Sequence, residues 1–539
     1  MNEPNAVAGV DVTILGGGLA GLTLAIQLRR QFPAMSLRII ERRQHPVPPA
    51  AHKVGESSVE IGAHYFDTVL GLKEHLTSRQ LKKFGFRFFF SDGREDLDNV
   101  TELGASQYLS TPSYQLDRGV FENFLGEYVR ELGVEFIDGA VVRSFDVGTQ
   151  GSAHAVRYEA SGEQRELRSR WLIDASGRAG LLKRKLGLQQ DNAHNANAIW
   201  FRIGAKIDVD EWSTDAAWLG RCDPPYRWLS TNHLCGEGYW AWLIPLSSGS
   251  HSVGIVCDAV THPLETMNTF DKAMDWFRKH QPRLARELEG KQHLLQDFCF
   301  LRNFSYGCKQ VFSGDRWALT GEAGLFLDPF YSPGSDFIGI SNTYITDLIA
   351  RDMQGEPING RAHVYQQLYF SFYDSTLSLY TDQYAMFGDP EVMPVKVIWD
   401  YTYYWGVLCQ LFFQRRLTDL TSLGRLSEHL NHSKALNAAM QAFMREWSKL
   451  SARRNDAVLL DQASLPWFAE LNRGLRDQLD DEAFRARMIE YTGLLNSLAK
   501  EIVERACQEQ PTLDSAAVRK LLGAVPEIAS ESLLFTQAA

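Results

Sequence analysis

A glycine-rich turn at residues 16–21 constrains the fold of this chain more than any other segment. Its sequence is Gly-Gly-Gly-Leu-Ala-Gly, and it follows the apolar run Val-Thr-Ile-Leu at 12–15. The glycines of such a G-x-G-x-x-G turn allow a tight bend, close approach of the backbone to a pyrophosphate, and close packing of a helix on a strand. The helix that follows presents free N–H groups to the phosphates. The segment predicts a βαβ dinucleotide-binding unit over residues 11–41.

An acidic residue closes this unit. Glu41 follows the second strand, and a carboxylate about 20 residues beyond the turn is placed to bind a ribose hydroxyl. An acid at this position favours an adenosine without a 2′-phosphate, as in FAD or NAD. The residues that we predict to bind the cofactor in this unit are Gly16, Gly18, Leu19, Ala20, Gly21 and Glu41.

Two later segments favour FAD over NAD by their resemblance to the aromatic-hydroxylase flavoproteins. Residues 171–178, WLIDASGR, resemble the second dinucleotide element of those proteins and contain Asp174. Residues 317–324, WALTGEAG, resemble the third element, in which an acid binds the ribityl chain. That acid is Glu322, where aspartate is commoner, and it follows Gly321. An ordinary connection between strand and helix is the alternative for each segment.

Composition excludes several classes of protein. The chain has 539 residues, of which 45% are hydrophobic and 22% charged, as is typical of globular proteins. Its net charge is −11 and no basic cluster occurs, so we expect no nucleic-acid partner. No apolar run reaches the roughly 18 residues that cross a bilayer, and the first residues lack the basic segment of a signal peptide. The seven cysteines include no C-x-x-C pair, which predicts no disulfide and no metal site and favours the cytoplasm.

Hydrophobic periodicity separates a mixed α/β part of the chain from a helical part. Strand patterns are concentrated at about 81–110 and 190–290, with a hairpin predicted over 239–257. One face of a predicted helix carries Leu436, Met440, Phe443, Trp447 and Leu450. We predict an α/β fold, with a Rossmann-like FAD-binding core and an interleaved antiparallel sheet over residues 1–355. A helical C-terminal region is predicted over 356–539.

The segment Trp240-Ala-Trp242-Leu-Ile244-Pro245 lies between the two FAD-type elements. Taken alone it predicts an apolar strand in a sheet core, with Trp240, Trp242 and Ile244 on one face. The motif WxWxIP in this position resembles the flavin-dependent halogenases, often labelled tryptophan halogenases. The resemblance covers residues 10 to about 350. It implies that the two indoles, Ile244 and Pro245 separate the substrate from the flavin.

The same resemblance draws attention to Lys83. Residues 83–88, KFGFRF, are similar to the K-x-G-x-x-F neighbourhood of the lysine that is essential in the halogenases. In that family, reduced flavin, O₂ and a halide give hypohalous acid, which travels to the lysine. The lysine holds the oxidant by hydrogen bonding or as a haloamine. A surface lysine that starts a strand is the alternative, and the neighbouring Lys82 supports it.

Residues 328–335, DPFYSPGS, resemble the flavin and halide loop of the family. Backbone N–H groups in such a loop form an anion-binding nest, and a plain Pro-Gly turn is the alternative. The residues assigned to the loop are Pro329, Tyr331, Ser332, Gly334 and Ser335. Tyr331 stands where the tryptophan halogenases have a glutamate. The chain therefore resembles more closely the halogenases that act on phenols or on carrier-bound substrates.

Two further cofactor contacts are implied by resemblance. Glu56 and Ser57 lie in a segment similar to the family's G-E-[AS] loop near the flavin, and a solvent-exposed turn is the alternative. Arg118 fits a helix start that supplies an arginine near the flavin. Aromatic residues are also dense between positions 369 and 405, where they line either an apolar pocket or a packed core.

The resemblance as a whole implies an FADH₂- and O₂-dependent halogenase that uses chloride or bromide. The expected substrate is an electron-rich aromatic, phenolic or pyrrolic ring, free or tethered to an acyl or peptidyl carrier protein. One dinucleotide turn implies that a separate NAD(P)H-dependent flavin reductase delivers the FADH₂. An FAD-dependent monooxygenase or dehydrogenase on the same scaffold is the first alternative, because one fold hosts many reactions. A non-catalytic protein that binds flavin or docks a carrier is the second.

Overall fold

The computed structural model describes residues 9–49, 53–523 and 532–535, and the chain divides into two compact units. The first unit consists of Met1–Ser78, Leu116–Asn192 and Ser305–Tyr373. The second unit consists of Arg79–Gln115, Ala193–Phe304 and Asp374–Ala539. The units do not follow the predicted linear division at residue 355, because strand Leu459–Asp461 of the helical region pairs with Glu102–Gly104 in one sheet.

A seven-stranded sheet forms the centre of the first unit. Its strands are Gly9–Leu15, Leu37–Ile40, Glu135–Ile137, Val141–Asp146, His154–Ala160, Glu163–Asp174 and Trp317–Leu319. The first strand pairs in parallel with Leu37–Ile40 on one side and with Glu163–Asp174 on the other. Its residues Val12 and Ile14 are fully buried, as expected of a parallel strand covered on both faces. A two-stranded ladder of Gln189–Gln190 and Gly307–Cys308 completes the unit.

Several helices begin in the first unit, and the first of them lies in the chain between two strands that pair in parallel, as in a βαβ unit. These helices are Leu19–Gln31, Glu60–His64, Lys73–Arg79, Arg118–Glu131, Leu181–Lys185, Gly334–Met353 and Asn359–Leu377. The first helix begins directly after Gly18 and has Arg29 and Arg30 in its last turn, where they complement the helix dipole. The predicted Rossmann-like core is confirmed.

The second unit contains the predicted antiparallel sheet, which is confirmed. In spatial order its eight strands are Leu295–Leu301, Ala196–Ile203, His251–Asp258, Tyr239–Pro245, Thr231–Gly236, Phe86–Phe89, Glu102–Gly104 and Leu459–Asp461. Two neighbouring pairs are parallel, Thr231–Gly236 with Phe86–Phe89 and the last two strands with each other. The predicted hairpin is confirmed, since Tyr239 pairs with Cys257. Leu81–Lys82 and Tyr114–Gln115 pair as a separate, short antiparallel ladder in the same unit.

Helices dominate the last part of the second unit. The helices of the unit are Ala216–Leu219, Phe270–His280, Pro282–Leu288, Val392–Tyr403, Gln410–Phe413, Leu420–Arg425, Ser427–Ser448, Pro466–Arg473, Asp481–Glu509 and Ala516–Leu522. The helix Ser427–Ser448 buries Leu436, Met440 and Trp447 as predicted. The assignment of Leu450 to that face is wrong, because the helix ends at Ser448 and Leu450 is 43% exposed. In the described ranges, no helix has the length and apolar character to span a bilayer.

Three ionisable side chains of the second unit form a fully buried network. Arg87 and Arg227 both contact the carboxylate of Glu102, and none of the three is exposed. The Arg227 Nε atom lies 2.9 Å from Glu102 Oε1, and Arg227 Nη1 donates to Asp210 at 3.1 Å. A buried charge is costly without a partner of opposite sign. The network therefore ties together the two neighbouring strands that carry Arg87 and Glu102.

Glu102→Gln removes the negative charge that compensates two buried guanidinium groups. We expect it to lower the free energy of unfolding by about 3–5 kcal/mol, the usual cost of removing one partner from a buried ion pair. Urea unfolding at constant pH measures this change. Glu470→Gln is the matched control, because Glu470 pairs with Arg473 at the surface and its loss should leave the stability nearly unchanged. Equal effects of the two substitutions would contradict a structural role of the buried network.

Candidate functional site

The glycine-rich turn of the first unit is too tightly packed for side chains at three of its four glycines, which are Gly16, Gly17 and Gly21. A Cβ atom at Gly16, whose φ is +116°, would lie less than 3.0 Å from the carbonyl oxygen of Ala175. A Cβ atom at Gly21 would lie equally close to the carbonyl oxygen of Gly16. At Gly18, in contrast, an added Cβ atom would meet no atom of the described residues within 4 Å. Open space in front of a helix N-terminus is what an anionic phosphate group requires.

Glu41 lies against this turn. Its Oε2 atom accepts a hydrogen bond from Gly17 N at 2.6 Å, and its Oε1 atom accepts one from Arg43 N at 2.7 Å. Leu19 and Ala20, which start the helix, are buried. Each carboxylate oxygen has a further lone pair with which to accept a ribose hydroxyl. The geometry is compatible with ribose binding by Glu41, which stays a prediction.

Asp174 is fully buried at the end of its strand. Its Oδ1 atom accepts hydrogen bonds from the backbone N and the hydroxyl of Ser176, at 3.0 and 2.6 Å. Its Oδ2 atom accepts one from Leu182 N at 2.7 Å. Burial raises the pKa of this carboxyl group, and these hydrogen bonds act against the increase. Asp174 thus shapes the turn that follows its strand, and its contact with a cofactor stays a prediction.

The third predicted FAD segment packs on the first. A Cβ atom at Gly321 would lie 3.0 Å from the Cβ atom of Ala20, so this turn contacts the helix that follows the glycine-rich turn. Glu322 is partly exposed, and its Oε2 atom lies 3.1 Å from Arg178 Nε. The structure therefore brings together two segments that are about 300 residues apart in the sequence.

Arg118 holds the loop that carries Glu56 and Ser57. Its Nη1 atom donates to the carbonyl oxygen of Val54 at 2.8 Å, and Leu116 N donates to the carbonyl oxygen of Glu56 at 2.5 Å. Glu56 and Ser57 are 1% and 5% exposed. The alternative of a solvent-exposed turn is wrong for these two residues.

The predicted flavin and halide loop leads into the 20-residue helix Gly334–Met353. Ser332 adopts the left-handed conformation, with φ of +52°, and its N–H donates to the carbonyl oxygen of Pro329 at 2.9 Å. The ring of Tyr331 is partly buried against Phe330. The loop therefore contains a tight turn, the alternative to an anion-binding nest, and this turn leads directly into a helix N-terminus.

Ser335 lies in the first turn of this helix. Its hydroxyl is buried and has no hydrogen-bond partner within the part of the chain that the structure describes. The first N–H groups of a helix attract anions, and a buried hydroxyl without a partner is costly unless a ligand satisfies it. The two features together fit an anion at the start of this helix. Gly62 N donates to the neighbouring Asp336 at 2.8 Å, which joins this helix start to the helix that follows Ser57.

Lys83 lies in the second unit, between two short strands. Its side chain is only 3% exposed, and its Nζ atom lies 3.4 Å from the centroid of the Phe86 ring. Lys82 is exposed, with its Nζ atom 4.2 Å from the centroid of the Tyr108 ring. Burial of part of its side chain and the charge of Arg476 lower the pKa of Lys82. The surface-lysine alternative describes Lys82 and is wrong for Lys83.

Strand Tyr239–Pro245 separates two environments in the second unit. Tyr239, Ala241 and Leu243 belong to a large hydrophobic core on one face. The rings of Trp240 and Trp242 lie on the other face, with centroids 5.6 Å apart, so the predicted shared face of the two indoles is confirmed. Ile244 and Pro245 are also buried at the end of this strand.

Aromatic rings connect Lys83 to Trp240. The ring beneath the lysine amine, Phe86, lies 5.3 Å from the ring of His233. His233 stacks on Phe88 at 4.6 Å and lies 5.3 Å from Trp240. A continuous series of ring contacts therefore connects the lysine to the two tryptophans within the second unit. Phe86 was not among the predicted site residues, although its position three residues after Lys83 and two before Phe88 was a usable signal.

The aromatic residues between 369 and 405 are mostly buried, as in a packed core. Two of them in the second unit reach the ring cluster. Tyr401 lies 6.1 Å from Phe86, and the Tyr384 hydroxyl accepts a hydrogen bond from Trp240 Nε1 at 3.0 Å. No group of three or more His, Cys, Asp and Glu side chains arranged for a metal ion occurs among the described residues.

Comparison with known proteins gives concordant matches. The FAD binding domain family matches residues 9–267. The flavin-dependent halogenase chlA of Dictyostelium discoideum is 25% identical over 442 residues, 75% of this chain and 71% of chlA. The 1H-pyrrole-2-carbonyl peptidyl-carrier protein brominase of Pseudoalteromonas luteoviolacea (strain 2ta16) is 26% identical over 355 residues, 64% of this chain and 78% of the brominase. The crystal structure of halogenase PltM shares the fold, with a TM-score of 0.64, 17% identity, and coverage of 91% of this chain and 96% of PltM.

Gly18→Ala and Gly21→Ala should change different properties. A methyl group at position 21 would collide with the backbone, so we expect a lower melting temperature even without FAD. A methyl group at position 18 meets no atom in the part of the chain that the structure describes, so the melting temperature without FAD should not change. It would occupy the space of the pyrophosphate, and we expect FAD affinity to fall by about tenfold or more. Thermal unfolding and flavin-fluorescence titration measure the two effects, and Gly18→Ala with full FAD affinity would contradict this assignment.

Proposed function

Because this chain belongs to the flavin-dependent halogenase family, we propose that it uses FADH₂, O₂ and chloride or bromide to halogenate an electron-rich ring. The observation that carries the proposal is the environment of Lys83. Its amine is buried over the face of Phe86, and further rings link it to Trp240. An amine excluded from bulk water can hold a reactive oxidant that water or other nucleophiles would otherwise consume.

The residues that would hold FAD lie in the first unit. They are Gly16, Gly18, Leu19, Ala20, Gly21, Glu41, Glu56, Ser57, Arg118, Asp174, Gly321, Glu322 and Gly334. The open space at Gly18 supports a pyrophosphate beside the helix N-terminus. For the halide we propose the loop residues Pro329, Tyr331, Ser332 and Ser335. The buried hydroxyl of Ser335 at a helix start supports an anion there.

When bound, FADH₂ would supply two electrons and the halide two, so that O₂ and one further proton would yield water and hypohalous acid. Lys83 either donates a hydrogen bond to the oxygen of hypohalous acid or exchanges an N–H hydrogen for the halogen, with release of water. The substrate ring then forms a bond to the halogen and loses a proton. Trp240, Trp242, Ile244 and Pro245 would keep the ring away from direct oxygen transfer.

The substrate that we propose is a phenolic or pyrrolic ring, free or tethered to an acyl or peptidyl carrier protein. Tyr331 supports this choice, because it replaces the glutamate that the sequence resemblance leads us to expect for free tryptophan. The name of the Pseudoalteromonas brominase specifies a pyrrole on a peptidyl carrier. We propose that a separate NAD(P)H-dependent reductase supplies the FADH₂.

A single-turnover experiment with two lysine variants tests the proposal. The protein is mixed with anaerobically reduced FAD and then with oxygenated bromide or chloride and a panel of phenols, indoles and pyrroles, including a pyrrole thioester. Lys83→Met keeps the apolar stem of the side chain and removes only the amine. We expect it to lower the yield of halogenated product by on the order of 10²-fold or more, because a positioned proton donor contributes that much. Mass spectrometry identifies the halogen by its isotope pattern.

Lys82→Met is the matched control, since it removes an exposed amine one residue away. Its product yield should equal that of the wild-type protein. A halide-independent gain of one oxygen atom would replace the proposal by a monooxygenase. Halogenation that survives Lys83→Met would show that the buried amine does not carry the oxidant.

A further inference from the structure

The C-terminal part of the second unit contacts the two-residue turn, Glu237–Gly238, that joins strand Thr231–Gly236 to strand Tyr239–Pro245. Gly238 N donates to the carbonyl oxygen of Tyr384 at 3.0 Å. At Gly388 an added Cβ atom would lie 2.7 Å from the backbone nitrogen of Glu237, so the two backbones are in close contact. Two glycines, Gly238 and Gly388, thus allow residues 384–388 to lie directly on the turn at residues 237–238.

The same segment binds the first indole. Trp240 Nε1 donates to the Tyr384 hydroxyl at 3.0 Å, and the two side chains are 2% and 5% exposed. The Tyr384 ring stacks on Phe387 at 4.5 Å and lies 5.4 Å from His194. A phenol ring packed against two other rings has a fixed orientation, and so its hydroxyl has a fixed position. An indole N–H that must satisfy its hydrogen bond at this buried acceptor has one favoured orientation.

The two indoles of the motif differ in where their acceptors come from. Trp242 Nε1 donates to Ser252 Oγ at 3.1 Å, and Ser252 lies on the neighbouring strand of the same sheet. Trp240 finds its acceptor 144 residues later in the chain, outside the sheet. The sheet alone therefore orients Trp242, whereas the orientation of Trp240 depends on the C-terminal region.

We propose that Tyr384 is a positioning residue for the halogenation reaction. Its hydroxyl keeps the Trp240 indole against His233 and so completes the ring array that begins with Phe86 beneath Lys83. When this indole is misoriented, hypohalous acid leaves the protein before it reacts with the substrate ring. This inference rests on the proposed function and assigns the C-terminal region a part in it.

Tyr384→Phe tests the inference, because it removes one hydroxyl and keeps the stacked ring. We expect the halogenated product formed per FADH₂ oxidised to fall about fivefold or more, because the buried indole N–H loses the acceptor that fixes its orientation. The hypohalous acid that leaves the protein should halogenate a diketone that is added to the solution as a scavenger. The melting temperature should fall by at most a few degrees, because one buried N–H loses its acceptor. FAD affinity should stay within error of the wild type. Tyr403→Phe is the matched control: it removes the hydroxyl of a partly buried tyrosine elsewhere in the C-terminal region, and the product yield should not change.

A double-mutant cycle separates positioning from general damage. Trp240→Phe removes the indole N–H, so Tyr384→Phe should cause no further loss in that background. In protein with ¹⁵N-labelled tryptophan, the Trp240 indole signal should shift in Tyr384→Phe and stay in place in Tyr403→Phe. The inference is overturned if Tyr384→Phe forms as much halogenated product per FADH₂ oxidised as the wild type. It is also overturned if Tyr384→Phe lowers this yield as much in the Trp240→Phe background as in the wild-type background. Absence of halogenated product from the wild-type protein overturns the proposed function itself, a result distinct from either.

Discussion

The first unit depends on contact between main-chain atoms at its glycine-rich turn. Gly21 packs on the carbonyl oxygen of Gly16, which in turn packs on Ala175, and neither glycine has room for a Cβ atom. This contact brings the first helix against the end of the parallel strands and leaves open space at Gly18. The position of the third FAD-type segment depends on the same helix, because Gly321 packs against it. Thus one steric requirement places the segments that we propose to hold FAD.

The second unit depends on strands with two buried faces of different character. In strand Phe86–Phe89, Arg87 belongs to the buried network with Glu102, while its neighbours Phe86 and Phe88 contact His233. In strand Tyr239–Pro245, alternate residues face the hydrophobic core or the ring cluster. Since side chains alternate along a strand, a shift of one residue would exchange the two faces. The charge network and the ring cluster are therefore two consequences of one register.

Local elements of both units could be predicted, and the errors have physical causes. The dinucleotide unit and the hairpin were predictable because periodicity and turn residues act over a few positions. Leu450 was misplaced because the helix ends at Ser448, which the apolar spacing does not reveal. For Asp174, the sequence motif correctly drew attention to the residue. Only the structure shows that its carboxylate oxygens accept hydrogen bonds from the turn that follows.

The sequence by itself determined where the glycines, strands and principal helices lie, because these follow from backbone sterics and from the periods of helix and strand. The resemblance singled out Lys83 from its neighbour Lys82, but it did not reveal that Lys83 is buried while Lys82 is exposed. The tertiary structure decided that Lys83 is buried over Phe86 and that Tyr384 binds Trp240. Burial and hydrogen bonding at these positions depend on residues far apart in the chain, and no local pattern records which of them pack together.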